Sequence, residues 1–233
     1  MSDTIAISIP RTAGRASQVR FLKSMVLSRD RSIPHLGRKI YHLVNGLACA
    51  ALYAFVLDRN GALLALTLVG GALIALDLLR LNSPVWNARA LKLFGPLMRR
   101  EELLGVSANT YYVVGIFVVT LLFPKSIVLL SVLYLAVGDP VAGMVGTLYG
   151  RRPLLAGKSF EGSAANFAAA AVCTLVFARM YLGLSPEKAI GLAVAGGLCS
   201  AVAELLPLPI NDNFSIPVVS AILLSFLALA IPF

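Results

Sequence analysis

The stretch ALLALTLVGGALIALDLL, residues 62–79, decides the fold class: in these eighteen residues the only charge is Asp77 and the only other polar side chain is Thr67. At 1.5 Å of rise per residue a helix of this length spans about 27 Å, close to the hydrocarbon thickness of a bilayer. A helix apolar on every side belongs in lipid or in the core of a large protein, and this chain has only 233 residues. Runs of the same character recur outward from it, at 41–57, 107–123, 126–137, 162–181, 189–206 and 214–233, which with the first make seven. The whole chain is 58% hydrophobic and 13% charged, with a mean hydropathy of +0.85; that balance excludes an ordinary soluble domain. The expected fold is therefore all-α, a polytopic integral membrane helical bundle of about seven spans. The run 126–137 is shorter than a span needs and is followed by the small, apolar segment 140–149, so the two predict an additional re-entrant or broken Gly-rich helix.

Net charge is +9 and the isoelectric point about 9.8, values that in a soluble protein would raise nucleic acid as a partner. Here the basic residues flank the apolar runs, which points to membrane topology and to no nucleic acid. With the N-terminus in the cytoplasm, sixteen of the twenty Lys and Arg fall on the cytoplasmic side, and only Arg59, Lys125, Arg179 and Lys188 fall elsewhere. This is the positive-inside bias, and it places the C-terminus on the opposite side, provided that 140–149 does not cross. The same orientation gathers Asp77, Glu101, Glu102, Asp139, Glu161, Glu204 and Asp212 at the cytoplasmic ends, leaving Asp58 and Glu187 opposite. Carboxylates that abut or enter apolar runs are expensive there, so a one-sided polar site facing the cytosol is the economical explanation.

Cys49, Cys173 and Cys199 lie inside apolar runs without C-x-x-C spacing and read as packing residues. No cleavable signal is expected, because the apolar stretch 5–9 is short and Arg11, Arg15, Arg20 and Lys23 follow it. Between residues 15 and 29, Val19, Leu22, Met25 and Val26 alternate with basic residues; the pattern suits either a surface-lying helix on anionic lipid or a basic tail.

The densest unusual segment is GDPVAGMVGTLYGRRPLLAGKSFEG, residues 138–162, which holds six of the 19 glycines. Asp139 before Pro140 has the form of a helix N-cap with a first-turn proline, after which Ala142, Gly143, Gly146 and Gly150 recur at helical spacing and leave a smooth face. A capped helix packed through small residues explains the pattern structurally, yet a carboxylate at membrane depth is a functional candidate by default. Gly157, Lys158 and Ser159 invite a P-loop reading, but that loop needs glycine where Arg152 stands and no strand precedes it. What remains is a Gly-rich loop expected to expose Arg151, Arg152 and Lys158 to the cytosol, where backbone N–H groups and point charges can bind phosphate. His42 follows Arg38 and Lys39 at the mouth of the first span; a lone interfacial histidine is commonly structural, but the three could serve a phosphate at the membrane surface. Asp77 and Arg80 read as an intrahelical pair, and the run Arg99–Glu102 as mostly a solvated face. Glu204 closes a 15-residue uncharged stretch and is joined by Asp212 and Asn213 after a proline-interrupted turn. Oxygen donors of this kind suit a hard cation such as magnesium, with substrate phosphates completing its shell.

Taken in order, RKIYH at 38–42, DLLR at 77–80, LMRREELLG at 97–105, GDPVAGMVGTLYG at 138–150, GKSFEGS at 157–163, and Glu204 with Asp212, Asn213 and Pro217 resemble the CTP-dependent lipid kinases. That family includes dolichol kinase, phytol and farnesol kinases, and a fungal diacylglycerol kinase. The resemblance implies transfer of the terminal phosphoryl group of CTP to the hydroxyl of a membrane lipid alcohol, with Mg2+ or another divalent cation, on the cytosolic face. It implies a basic cytoplasmic segment at 1–37 and a membrane-embedded catalytic domain at 38–233, in the cell membrane or the endoplasmic reticulum according to the organism. Arg38, Lys39, Asp139, Gly146, Lys158, Ser159 and Glu161 stand at positions that look like the family's functional ones. On that basis Asp139, with Glu161 or Asp212, is expected to hold the metal, and Arg38, Lys39 and Lys158 the phosphates, supported by Gly143, Gly146, Gly150, Arg151, Arg152, Gly157 and Ser159. A carboxylate or His42 is expected to take the hydroxyl proton.

Three rival functions predict other patterns. A CDP-alcohol phosphotransferase needs several aspartates soon after Asp139, whereas the next is Asp212. A lipid transporter or flippase predicts inverted repeats and midplane charges, neither of which stands out. A CTP:phosphatidate cytidylyltransferase shares the nucleotide and differs in releasing pyrophosphate.

Overall fold

The computed structural model of the chain describes residues 36–94, 98, 101–103, 105–230 and 233. The expectations for the segment 15–29, for the N-terminal leader and for most of the basic segment 1–37 lie outside the described residues, as do Arg99 and Arg100. In chain order the helices are α1 (Leu36–Phe55), α2 (Arg59–Asn82), α3 (Pro84–Phe94), a 3-10 turn (Glu101–Leu103), α4 (Ala108–Leu122), α5 (Lys125–Leu133), a π-helical turn (Tyr134–Gly138), α6 (Asp139–Tyr149), a second 3-10 turn (Leu155–Gly157), α7 (Phe160–Met180), α8 (Pro186–Leu205) and α9 (Asp212–Ala230). Among the described residues there is no β-strand, only an isolated bridge between Pro153 and Ser159.

Over its described residues each expected apolar run falls largely on a helix: α1, α2, α4, α5 with its π-turn, α7, α8 and α9 in turn. Five helical stretches are long and apolar enough to cross a membrane: α2, the run Lys125–Tyr149, α7, α8 and α9. The 15-residue α4 is a shorter apolar helix. Side-chain oxygens set several starts. Asp58 accepts from the Gly61 N–H at 2.8 Å ahead of α2, and Ser107 accepts from the Thr110 N–H at 3.3 Å ahead of α4, each satisfying an orphan donor of the first turn.

The run Lys125–Tyr149 is the central post, with two thirds of its most apolar window buried against 17% for the peripheral α2. Val128, Leu130, Tyr134 and Ala136 on this run are fully buried. The Tyr134 hydroxyl shares a hydrogen bond of 2.8 Å with Thr174 Oγ1 on α7. Gly196 of α8 leaves room for it, because a Cβ there would lie 2.3 Å from the Tyr134 oxygen. Conversely Leu64, Leu68 and Leu76 on α2, Val172 and Val176 on α7, and Ile190 and Val194 on α8 are exposed, the outward apolar surface that a lipid solvent rewards.

The break expected between 126–137 and 140–149 is a π-turn inside one continuous helical run, not a loop. Pro140 has no N–H and its ring crowds the carbonyl four residues back; widening the helix relieves this, and the Asp139 N–H donates to the Tyr134 carbonyl five residues earlier. The N-cap expected of Asp139 is corrected by the same observation: its φ of −62° and ψ of −48° are helical, whereas a capping residue leaves the helical region. The short helix α3, packed on α2, has no counterpart in the expected spans.

Candidate active site at the polar end of the bundle

Two of the sequence motifs, DLLR at 77–80 and the glutamate run at 101–102, meet at one end of the bundle. Asp77 Oδ1 and Arg80 Nε are 2.6 Å apart in an i,i+3 pair, both buried. The pair does more than brace its own helix. Asp77 Oδ2 accepts from the Ser107 N–H at 2.8 Å and from the Thr110 hydroxyl at 2.7 Å, and Arg80 donates to the carbonyls of Glu102, at 2.9 Å, and Gly105. Asn87 of α3 donates to the Leu103 carbonyl at 3.1 Å. The segment before α4 is thereby held from beneath by α2 and α3.

Glu102, expected on a solvated face, is instead buried at 5% exposure. One carboxylate oxygen accepts from the Ala108 N–H at 3.1 Å, at the positive N-terminus of α4. The other lies 3.7 Å from the Arg38 guanidinium. A backbone N–H and a guanidinium, one on each oxygen, offset part of the cost of burying this carboxylate.

A second charged cluster joins α7, α8 and α9. Lys158 Nζ stands 3.1 Å from Glu204 Oε1 and 3.7 Å from Asp212 Oδ2, and it donates as well to the Glu204 carbonyl. Glu204 Oε2 accepts from the Ser163 hydroxyl at 3.0 Å. Lys158 therefore turns inward, with 19% of its side chain exposed, and does not join Arg151 and Arg152 on the surface as the loop composition predicts. Gly157 makes that turn, at a φ of +74° that disfavours any other residue. The two clusters are tied together by Asn213, whose Nδ2 donates to the Ala108 carbonyl at 3.0 Å.

Between α6 and α7 the chain forms a small hairpin: the Leu154 N–H donates to the Lys158 carbonyl at 2.7 Å, and the Phe160 N–H to the Arg152 carbonyl at 2.9 Å. Glu161 clamps it, accepting from the N–H groups of Arg151 at 3.0 Å and Arg152 at 3.3 Å. Ser159 caps α7 by accepting from the Gly162 N–H at 3.2 Å. The smooth face of α6 splits into two uses. Cβ atoms at Gly146 and Gly150 would stand 3.1 and 2.8 Å from Ser159 Oγ, so this row packs on the start of α7. A Cβ at Gly143 would meet the Lys39 ammonium at 3.2 Å, so that glycine makes room for a lysine arriving from α1. Asp139 lies one turn before Gly143, at the i,i+4 spacing that shares a helix face. The His42 ring packs against those of Tyr41 and Tyr112, with centroids 6.0 and 5.9 Å away.

Between the loop ahead of α4 and the turn ahead of α9 opens a cavity of about 400 Å³, bordered by Glu102, Val106, Tyr111, Pro209, Asn211 and Asp212. Arg38 reaches its Glu102 edge and Lys158 its Asp212 edge. Two carboxylates thus border the opening, each with a cation 3.7 Å behind it, so both signs of charge lie within reach of a ligand that enters it.

As for a divalent cation, no group of three His, Cys, Asp or Glu side chains that could hold one occurs among the described residues. Asp139, Glu161 and Asp212 do not form such a group. Glu204 and Asp212, however, converge on a single positive centre, the Lys158 ammonium. Two hard oxygen donors fit a magnesium ion, which usually takes one or two carboxylates and leaves the rest of its shell to water and substrate phosphates. Of the residues singled out from sequence, the structure brings together Arg38 with Glu102, Lys39 with Gly143, Ser159 with Gly146 and Gly150, and Lys158 with Asp212. Glu161 serves the hairpin backbone. Glu102 is the addition, since the sequence places it in a mostly solvated charge run; Glu204, read there with Asp212 as an oxygen donor for a hard cation, meets the Lys158 ammonium.

No protein-family model matches the chain, and no solved structure does. Among curated proteins it is similar to the CTP-dependent diacylglycerol kinase 1 of Eremothecium gossypii, 29% identical over 204 residues, covering 79% of this chain and 64% of that protein. With the CTP-dependent diacylglycerol kinase 1 of Saccharomyces cerevisiae it shares 30% identity over 207 residues, 81% of this chain and 71% of that one. With a probable chloroplastic phytol kinase of Triticum aestivum it shares 30% identity over 230 residues, 93% and 74% of the two chains. The chain therefore spans just under two thirds of the Eremothecium protein's length and somewhat more of the other two.

Proposed function

We propose, from the premise that this chain belongs to the CTP-dependent lipid kinase family, that it transfers the terminal phosphoryl group of CTP to the hydroxyl of a membrane lipid alcohol at the polar end of its bundle. The observation that carries this reading is Lys158 held between Glu204 and Asp212 at the edge of the cavity. Phosphoryl transfer asks mainly for positioning and charge neutralisation, and a lysine flanked by two carboxylates beside an open pocket provides both signs of charge at one point. In this reading the lipid oxygen attacks the terminal phosphorus, the bond to the bridging oxygen breaks, CDP departs, and the hydroxyl proton passes to a carboxylate of the site or to His42. Lys158, Arg38 and Lys39 bind the phosphate oxygens. Glu204 and Asp212 would hold the divalent cation, which when bound would supply charge neutralisation to the transferred phosphate.

The polar end then faces the cytosol, in keeping with the positive-inside bias, and the lipid alcohol enters laterally from the bilayer. The names of the relatives favour diacylglycerol or an isoprenoid alcohol such as phytol as acceptor; polyprenols share the same chemistry. The test is to supply the purified protein with CTP labelled on the terminal phosphate, with magnesium, and with diacylglycerol, phytol, farnesol or a polyprenol in turn. Label should appear in one of these lipids and vanish when magnesium is chelated. No labelled lipid from any acceptor would refute the kinase reading.

A further inference from the structure

We infer that the cavity between the two loops is the seat of the nucleoside half of the donor nucleotide, with Asn211 supplying a hydrogen bond to the base. This rests on CTP being the donor, as proposed above, and adds where its base lies. The cavity is walled by the segment before α4 and the turn before α9, not by the lipid-facing sides of helices. Its occupant comes from water at the polar end.

The walls are mixed in a way that suits a nucleoside. Tyr111 and Pro209 offer flat faces and Val106 an apolar edge, surfaces on which a base stacks irrespective of its hydrogen-bonding pattern. Glu102 at the rim can accept only, which favours ligand donors such as ribose hydroxyls or an exocyclic amine. Phosphates instead find Lys158, whose ammonium is 3.7 Å from Asp212, so the ligand runs from base in the cavity to phosphates at the lysine.

Asn211 has a defined orientation. Its Oδ1 accepts from the Asn213 N–H at 3.0 Å, which points the amide NH2 the other way, and that NH2 has no protein acceptor among the described residues. Cytosine carries a ring carbonyl and a ring nitrogen able to accept from it.

The experiment is equilibrium binding of labelled CTP, and separately of labelled tripolyphosphate, to the full chain in detergent with magnesium. Val106→Trp fills the cavity from an exposed loop position, and Asn211→Ser keeps a short oxygen for the Asn213 N–H while removing the amide donor. Each should weaken CTP binding by roughly tenfold or more, the loss of about one good contact, and leave tripolyphosphate binding and the unfolding temperature unchanged. Should Val106→Trp not fold, Asn211→Ser decides. Wild-type CTP affinity in a folded variant, or an equal loss of tripolyphosphate binding, would overturn the nucleoside assignment while the kinase reading stands. A wild-type protein that binds no CTP would overturn both.

Discussion

Lys158 is the residue on which structure and chemistry are hardest to separate, because its ammonium both neutralises Glu204 and Asp212 and is proposed to bind phosphate. Removing it alone leaves Glu204 buried without its cation, so Lys158→Met should destabilise the protein by about 3 kcal/mol, the low end for breaking a buried pair. Adding Glu204→Gln removes the stranded charge. The double variant should regain most of the lost unfolding temperature yet remain inactive; recovery of activity with stability would reduce Lys158 to a structural role. The glycines of the same region separate by what they touch. A Cβ on Gly162 would stand 2.9 Å from the Ala142 carbonyl oxygen, which is backbone and cannot swing away, whereas one on Gly146 meets the Ser159 hydroxyl at 3.1 Å. Gly162→Ala should therefore cost about 2 kcal/mol by overpacking, and Gly146→Ala about 1 kcal/mol through a weakened cap; thermal unfolding in one detergent ranks them, and the reverse order would contradict the packing described. At this scale the sequence disclosed which residue types matter and not which way they face. Lys158 reads as a surface charge in a basic loop, and only the left-handed turn at Gly157, with carboxylates 46 and 54 residues further on, brings it inward. Glu102 reads as solvated because its neighbours in sequence are charged, while its partners, Arg38 and the first turn of α4, are supplied by folding.

At the scale of elements, the clamp of Asp77 and Arg80 on the loop before α4 is what gives the cavity a fixed wall. Asp77→Asn keeps the shape but removes the charge that offsets a buried guanidinium, so it should lower stability by about 3 kcal/mol and weaken CTP binding although Asp77 does not line the cavity. Unfolding temperature and nucleotide affinity measured on the same preparation check this, and a stable variant with native affinity would show that the loop holds itself. The helices themselves were legible, since six apolar runs of near-span length and one shorter run leave little freedom for a chain in lipid. The join at Asp139 and Pro140 was not. A missing N–H suits both the first turn of a new helix and a widened turn within an old one, and the choice between them rests on packing around Tyr134 that no local pattern carries. Helix α3 escaped for a related reason: eleven residues with two charges, Arg89 and Lys92, read as connection, and its place depends on the buried Asn87 meeting Leu103.

Over the whole molecule, charge is distributed between two ends. Arg38, Asp77, Arg80, Glu102, Lys158, Glu204 and Asp212 are linked through contacts or a shared cavity at one. At the other, Lys125 donates to the Leu57 carbonyl at 3.2 Å and lies 4.9 Å above the Tyr53 ring, with Arg59 bonded to the Leu121 carbonyl. The one-sided gathering of carboxylates was readable from their positions relative to the apolar runs, although the pairing of each with its cation was not. Lys188, exposed at the start of α8, should accept alanine with a change within about 0.5 kcal/mol and full lipid phosphorylation; loss of activity in a folded variant would contradict a site confined to the polar end. The most direct measurement supplies the reconstituted protein with CTP carrying distinguishable labels on its first and terminal phosphates, together with the preferred lipid alcohol, and compares wild type with the Lys158→Met, Glu204→Gln double variant. The account predicts terminal label alone in the wild-type lipid and none in the folded variant. First-phosphate label in lipid, or equal transfer by the variant, would contradict it.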